Sequence, residues 1–563
     1  MPRPSFLPDI PLANIAWGLE LPLLVLNWFA LSTMVVAWFL PGSFAATIMA
    51  VAVLAAVAGL GFRKTRADHV DLVGRYVLSR LAVVFTVAWL PSASWMTNEE
   101  LLAAAILAGC LLTEPVARAF AAQAFPYAAN FPGTKTRTVH LPADAIFWTN
   151  LGATTALMLL RGPWVRLELV IAAVAALVNL FFMLDMALFT LSRLRFNARL
   201  PKLWEEMAPT FAIHWRAGAG SLHQLTMWLD YLKALDKPFF VITRTRENFL
   251  EVVRSLDVPV LHRVGLNSVE DALSPSLKTV FYVNTAILND HMLRYPHLTH
   301  IQLNHGDSDK LASYSPVFRS YDKDFVAGQA AIDRFDSAGL ATAPGFFVIV
   351  GRPQVAEVAP SRGSVSDLKS PTVLYAPTWS GNTQDSNYTS LPKGPKIVQA
   401  LLDRGCTVVF RPHPYWNKDH HSAAGRQAVV EMLAADAATS GRGHIYGDMA
   451  ETELSVFDCF NLSDLMISDV SSVVNDYLFS EKPLVMVAVT APPEMFVEEF
   501  PVARGAYVVD FEDVDSTLTQ ALDAIWNEDP LAATRRELKT YYLGDIPRER
   551  YAERFLEEAQ KYV

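Results

Sequence analysis

Four polar clusters in the second half of this chain combine residue types that move protons and hold phosphates. The first, His305-Gly306-Asp307-Ser308-Asp309-Lys310, directly follows the apolar run THIQL. A histidine at a strand end, followed by glycine and small polar residues, can offer an imidazole and backbone N–H groups to a ligand, with Lys310 near any phosphate. Taken alone, the segment also reads as an ordinary loop histidine. In Tyr375-Ala376-Pro377-Thr378-Trp379-Ser380-Gly381, Pro377 ends a strand and the hydroxyls of Thr378 and Ser380 suit a phosphate or an acceptor, though a plain strand exit explains the pattern equally. In Arg411-Pro412-His413-Pro414 the prolines restrict the backbone on both sides, so His413 sits on a stiff loop, and Arg411 adds a planar cation suited to bidentate phosphate contact. The fourth cluster, Ser468-Asp469-Val470-Ser471-Ser472-Val473-Val474-Asn475-Asp476-Tyr477, opens a helix. Ser471 and Ser472 there either cap the helix or aim hydroxyls and N–H groups at an anion, and Asp476 falls about one turn further on, where it could face the same cleft.

Strand ends must carry these clusters. From about residue 205, short apolar runs alternate with amphipathic stretches, which predicts parallel sheets covered by helices. Strands are expected at 210–215, 238–243, 259–264, 278–283, 299–303 and 323–327. A second set is expected at 372–376, 407–411, 443–446, 465–468, 484–489 and 506–510. Leu222, Leu225, Leu229 and Leu232 share a helical face, and further helices are expected near 394–404, 422–435, 472–480 and 515–527. Residues 354–371, rich in Pro, Ser and Gly, read as a linker. The result is two Rossmann-like lobes, 201–365 and 366–563, with a cleft at the carboxyl ends of their strands.

The first 200 residues are different. The 563-residue chain is 52% apolar and 18% charged, more apolar than a typical soluble protein, which places part of it in lipid. Residues 21–40 hold no charge and are long enough to span a bilayer. Further candidates lie at 44–62, 76–95, 101–113, 145–160 and 167–191. About six spans are expected, with five and a re-entrant piece as the alternative, since 101–113 crosses only if Thr97 through Glu100 lie at an interface. No cleaved signal peptide is expected, because a second long apolar run follows the first at once. Basic residues cluster in alternate loops (Arg63, Lys64, Arg66, Arg75; Arg118, Lys135, Arg137; Arg193, Arg195, Arg199, Lys202), with Arg161 and Arg166 as exceptions. This predicts a multi-pass cell-membrane protein with both termini and the second half in the cytoplasm. Asp185, inside the last run, is expected near the cytoplasmic end, reaching interfacial water. Residues 1–200 carry a net +4 and the remainder −14, with no Lys/Arg stripe, which argues against nucleic acid as a partner. Three dispersed cysteines (Cys110, Cys406, Cys459) exclude a disulfide framework and a cysteine zinc site.

Together the motifs HG-x-x-x-K, YAPTW, R-P-H-P and SD-x-SS-x-x-x-D-Y followed by Lys482-Pro483 resemble the CDP-glycerol glycerophosphotransferase family of teichoic-acid-type polymerases, over roughly residues 205–560. The Asp-Ser-Asp after His-Gly, and Gly351-Arg352-Pro353-Gln354, depart from the family's usual pattern, and the multi-span anchor points to a separate branch. The resemblance implies a GT-B type fold holding CDP-glycerol on the C-terminal lobe, with a cell-envelope glycerol phosphate or lipid-linked molecule as acceptor. His305 would be general base, and Arg411 and His413 would stabilise the departing CMP. Ser471 and Ser472 would hold the diphosphate, with Asp469 and Asp476 on the donor side and Lys310, Thr378 and Ser380 as further phosphate or acceptor contacts. No spacing marks a metal site and no cofactor is firmly implied, though a divalent metal at Asp469 and Asp476 stays open. Two rivals are a membrane-bound GT-B glycosyltransferase using a nucleotide sugar, and a transporter or receptor with a nucleotide-sensing domain.

Overall fold

The computed structural model describes residues 21–40, 43–68, 72–89, 98–123, 127–139, 141–160, 164–381 and 387–563, and the chain divides into two compact units, Met1–Lys202 and Leu203–Val563. Thr97, Arg161 and residues 90–95 of the third expected span lie outside the described residues.

The described helices of the first unit are α1 (Leu21–Phe39), α2 (Phe44–Asp68), α3 (Val77–Trp89), α4 (Asn98–Gln123), α5 (Asp144–Leu159) and α6 (Val165–Met207). Four of these, α1, α2, α4 and α6, contain stretches long and apolar enough to cross a membrane. Among the described residues, α3 has 13 residues and α5 has 16, so the expected count of about six spans is not confirmed. The short 101–113 candidate is the middle of α4, a 26-residue helix whose first turn carries Glu99 and Glu100 and which runs through Pro115. Several polar side chains on these helices are paired with one another, as burial away from water requires. Arg80 on α3 and Glu114 on α4 form a two-pronged ion pair (2.7 and 2.6 Å) with both side chains inaccessible. Asn150 donates to Glu114 at 2.8 Å and exchanges hydrogen bonds with Asn179. Asp185 has protein partners: Arg137 pairs with it at 2.6 Å and the Leu141 N–H donates to its other oxygen at 2.9 Å.

In the second unit the predicted alternation produces two parallel sheets. The first contains β1 (Phe211–Trp215), β2 (Phe239–Thr243), β3 (Val260–His262), β4 (Thr279–Tyr282), β5 (Thr299–Gln302), β6 (Lys323–Val326) and β7 (Phe347–Ile349) in the order β3-β2-β1-β4-β5-β6-β7. The second is five-stranded, β9-β8-β10-β11-β12, with β8 (Thr372–Ala376), β9 (Thr407–Phe410), β10 (Leu465–Ser468), β11 (Leu484–Ala488) and β12 (Tyr507–Asp510). Chain order reverses direction beside β1 in one sheet and beside β8 in the other, and at such switch points the strand-end loops part to leave a crevice. These two parallel sheets give two α/β lobes.

Two local expectations change. Residues 443–446 are not a strand; Ile445 makes a single parallel bridge to Val409. The 354–371 segment is not a loose linker, because Val355, Val358 and Val365 are buried and Arg548 donates to the carbonyls of Ala356 and Val358. Helix α7 (His223–Lys233) buries Leu225, Trp228, Leu229 and Leu232. The short helix α8 (Ser472–Tyr477) follows β10. Late in the chain, α9 (Tyr551–Ala559) returns to the first lobe, where Phe555 stacks near Trp228, with ring centroids 5.1 Å apart.

Candidate active site

All four polar clusters leave the carboxyl ends of strands, the first after β5 and the others after β8, β9 and β10. The His305 loop is fixed from both lobes. Asn304 adopts φ +58° and its carbonyl accepts from the Trp228 indole at 2.6 Å. Asp309 accepts from Arg334 at 2.9 Å, from the Tyr542 hydroxyl at 2.8 Å and from the Val502 N–H at 3.1 Å, while Asp307 also pairs with Arg334. Gly306 is needed for close approach: a Cβ there would lie 2.9 Å from Ser472 Oγ. The first and fourth motifs therefore touch across the cleft.

His305 is crowded by both lobes yet reached by water, as expected for a residue lining an open cleft. Crowding, with His223 and Arg352 nearby, pushes its imidazole down to about 4. A neutral ring keeps a lone pair on one nitrogen. In His413 the tautomer is fixed by a neighbour. Its Nδ1 accepts from the Tyr415 N–H at 3.1 Å, so Nε2 carries the hydrogen in the neutral ring. Its own N–H donates to the Pro377 carbonyl at 2.9 Å, and the ring stacks on Trp379 at 6.0 Å. Burial, with Lys310, His223 and His305 nearby, pushes it too down to about 4.

The remaining expected site residues fall into two groups. Lys310 reaches Thr378 Oγ1 at 3.3 Å, and burial pushes its ammonium down while Asp469 pulls it up. Ser471 stands ahead of α8 in extended conformation without a capping hydrogen bond, and both it and Ser472 are half-buried. These residues border the cleft with free or nearly free polar atoms. Asp469, Asp476, Arg411 and Ser380 are instead engaged by protein. The Asp469 carboxylate accepts from the N–H groups of Thr378 and Ser390 at 2.8 Å each and from the Ser390 hydroxyl at 2.9 Å, and burial raises it to about 6. Asp476 is held by Arg352 through two hydrogen bonds (2.9 and 3.1 Å), and the same guanidinium reaches the His305 carbonyl at 3.3 Å. Arg411 donates to the Ala450 and Leu454 carbonyls. Ser380 lies near Asp419, which caps the helix that begins at His420. Among the described residues no cluster of His, Cys, Asp and Glu is arranged to hold a metal ion.

Three residues escaped the reading of the sequence. Arg352 lies in the partial Gly-Arg-Pro-Gln match, which gave no sign of its distant partner. Tyr415 bonds Ser221 across the cleft at 3.1 Å. His223, in the plain-looking Ser-Leu-His-Gln, stands exposed at the start of α7, close enough to press on both other histidines.

Residues 354–507 match the family model described as CDP-glycerol:poly(glycerophosphate) glycerophosphotransferase. The match covers a little over a quarter of the chain. The matched segment holds Thr378, Ser380, Arg411, His413, Asp469, Ser471, Ser472 and Asp476; His305 and Lys310 precede it, so the match is shorter than the motifs implied. No curated protein matches the chain. Among solved structures it is similar to the wall teichoic acid polymerase TagF, at 13% identity and a TM-score of 0.39, over 65% of this chain and 95% of that one. It is also similar to S. aureus MnaA in a co-structure with UDP (12% identity, TM-score 0.43, 63% and 96% covered). A third similar structure is Anabaena HepE in complex with UDP and glucose (12%, 0.37, 62% and 99%).

Proposed function

We propose that this protein transfers glycerol phosphate from CDP-glycerol to a hydroxyl of an envelope glycerol phosphate or lipid-linked acceptor, at the cytoplasmic side of the membrane. The observation that carries the reading is the pair of opposed imidazoles: His305 offers a lone pair from the first lobe and His413 an N–H from the second. His305 takes the proton of the acceptor hydroxyl as its oxygen attacks the glycerol-bearing phosphorus. The bond from that phosphorus to the bridging oxygen breaks, and CMP leaves with charge that the His413 N–H stabilises. In-line displacement needs base and leaving-group donor on opposite sides of the phosphorus, as groups on two facing lobes can be. The unpartnered hydroxyls of Ser471 and Ser472 would receive the donor diphosphate, with Lys310 and Thr378 beside it. Asp469 and Arg411 would shape the loops that carry Thr378 and His413, and Asp476 would act through Arg352. A nucleotide-sugar glycosyltransferase is the rival enzyme. Labelled CDP-glycerol and labelled nucleotide sugars, each supplied with a membrane extract, separate the two. Product identified by mass spectrometry as a new glycerol phosphodiester, with CMP released, supports the reading; turnover of sugar donors alone rejects it.

A further inference from the structure

The switch point of the first sheet lies between β1 and β4, and the loops leaving those strands carry polar groups that the proposed transfer leaves unused. After β1 the chain runs Arg216-Ala217-Gly218-Ala219-Gly220-Ser221 into α7. A Cβ on Gly218 would lie 3.2 Å from the Tyr415 hydroxyl, which also meets Ser221; Tyr415 in turn lies against His413, with ring centroids 5.3 Å apart. His223 therefore belongs to the same cleft as His413. Crowding and the Arg411 charge lower its affinity for a proton, and a neutral imidazole keeps a lone pair on one ring nitrogen. Asn284, after β4, spends its NH2 group on the Arg216 carbonyl and on Gln224 Oε1, both at 2.8 Å. Both partners are acceptors, which fixes the amide orientation, and its buried Oδ1 is left without a donor.

The adjacent strands β1, β4 and β5 thus end in three unspent acceptor atoms, on His223, Asn284 and His305. Hydroxyl groups, not phosphate oxygens, are the ligands that acceptor atoms select. We propose that His223 is a specificity residue that accepts a hydrogen bond from a second hydroxyl of the acceptor, next to the one His305 deprotonates, so that the site selects a vicinal diol. This rests on the glycerophosphotransferase reading.

The test uses the full-length protein in detergent, CDP-glycerol, and two acceptors identical except that one ends in a 1,2-diol and the other lacks the hydroxyl beside the attacking one. Wild-type protein should favour the diol about tenfold in kcat/KM. His223→Ala should reduce the preference for the diol over the deoxy acceptor in kcat/KM from about tenfold to near unity, with the KM for CDP-glycerol unchanged. The wild-type preference tests the inference without any variant. Equal wild-type use of both acceptors overturns the inference while leaving the transfer reading intact, and so does an equal loss on both in the variant. If CDP-glycerol is consumed with neither acceptor, the reading and the inference fall together.

Discussion

The Arg352–Asp476 pair permits a prediction in which stability and activity separate. The side chains are 6% and 9% exposed, and Asp476 accepts from Nε at 2.9 Å and from Nη2 at 3.1 Å. Removing the charge from one partner strands the other in a site that water barely enters, at a typical cost of about 3–5 kcal/mol. Asp476→Asn should fall at the lower end, because the amide oxygen still accepts one hydrogen bond and Arg352 keeps the His305 carbonyl. For roughly 360 residues unfolding as one block, an entropy of ~2.1 cal/mol/K per residue turns ~3 kcal/mol into a drop of about 4 °C in the thermal midpoint. The double variant Arg352→Met, Asp476→Leu should recover that midpoint, since apolar replacement of a whole buried pair is commonly neutral or better. Turnover should not recover. The pair ties the His305 loop to α8, and misplacement of a reacting group by ~1 Å can cost roughly 100-fold. Thermal unfolding and CDP-glycerol turnover, both on the detergent-solubilised chain, read the two effects. A double variant that regains turnover along with stability would show that the pair only holds the lobes together, and a single variant as stable as wild type would refute the burial argument.

His305→Ala should lower kcat by ~10²- to 10⁴-fold with CDP-glycerol affinity largely intact, and an unchanged kcat rejects its role as base. Replacing both Ser471 and Ser472 by alanine should weaken CDP-glycerol binding roughly tenfold, the worth of a hydrogen bond to a charged oxygen, with no loss of melting temperature because Ser471 makes no capping bond; a lowered midpoint with unchanged affinity would return them to a capping role. Burial holds His262 and His413 down to about 4 in the folded protein, whereas an unfolded imidazole titrates near ~6.5. The unfolded chain then binds more protons between those values, so stability should fall as pH drops from about 6.5 toward 4; a midpoint that stays flat between pH 7 and 5 contradicts this. The same depression in His305 should place the acid limb of kcat well below pH 6.5. Tags near Lys64 and after residue 200 should resist labelling from outside intact cells, and surface labelling of either overturns the cytoplasmic assignment.

The strands were legible wherever an apolar run ended in a turn-forming polar cluster, and those same endings carry the candidate site. β7, three residues long, was not expected, and Ile445 looked like a strand because one bridged residue sits in an apolar context. Partners distant in sequence could not be read at all. Nothing near Asp476 announces Arg352, 124 positions away, and nothing near Asp185 announces Arg137. The two aspartates expected on the donor side turned out to be spent on protein groups for this reason. His223 was missed because one imidazole before an amphipathic helix looks like any surface residue until the fold brings β1, β4 and β5 side by side.

The return of α9 to the first lobe constrains how the protein is made. Phe555 lies against Trp228, whose indole holds the Asn304 carbonyl beside His305, and the Tyr562 carbonyl accepts from Thr279, 283 positions earlier. The first lobe leaves the ribosome without the residues that close its core and steady its histidine loop. It must wait, unfinished, until the whole second lobe has been synthesised. On the proposed function, activity is therefore withheld from nascent chains, and a ribosome that stalls within the second lobe releases a protein whose first lobe lacks the helix that completes it.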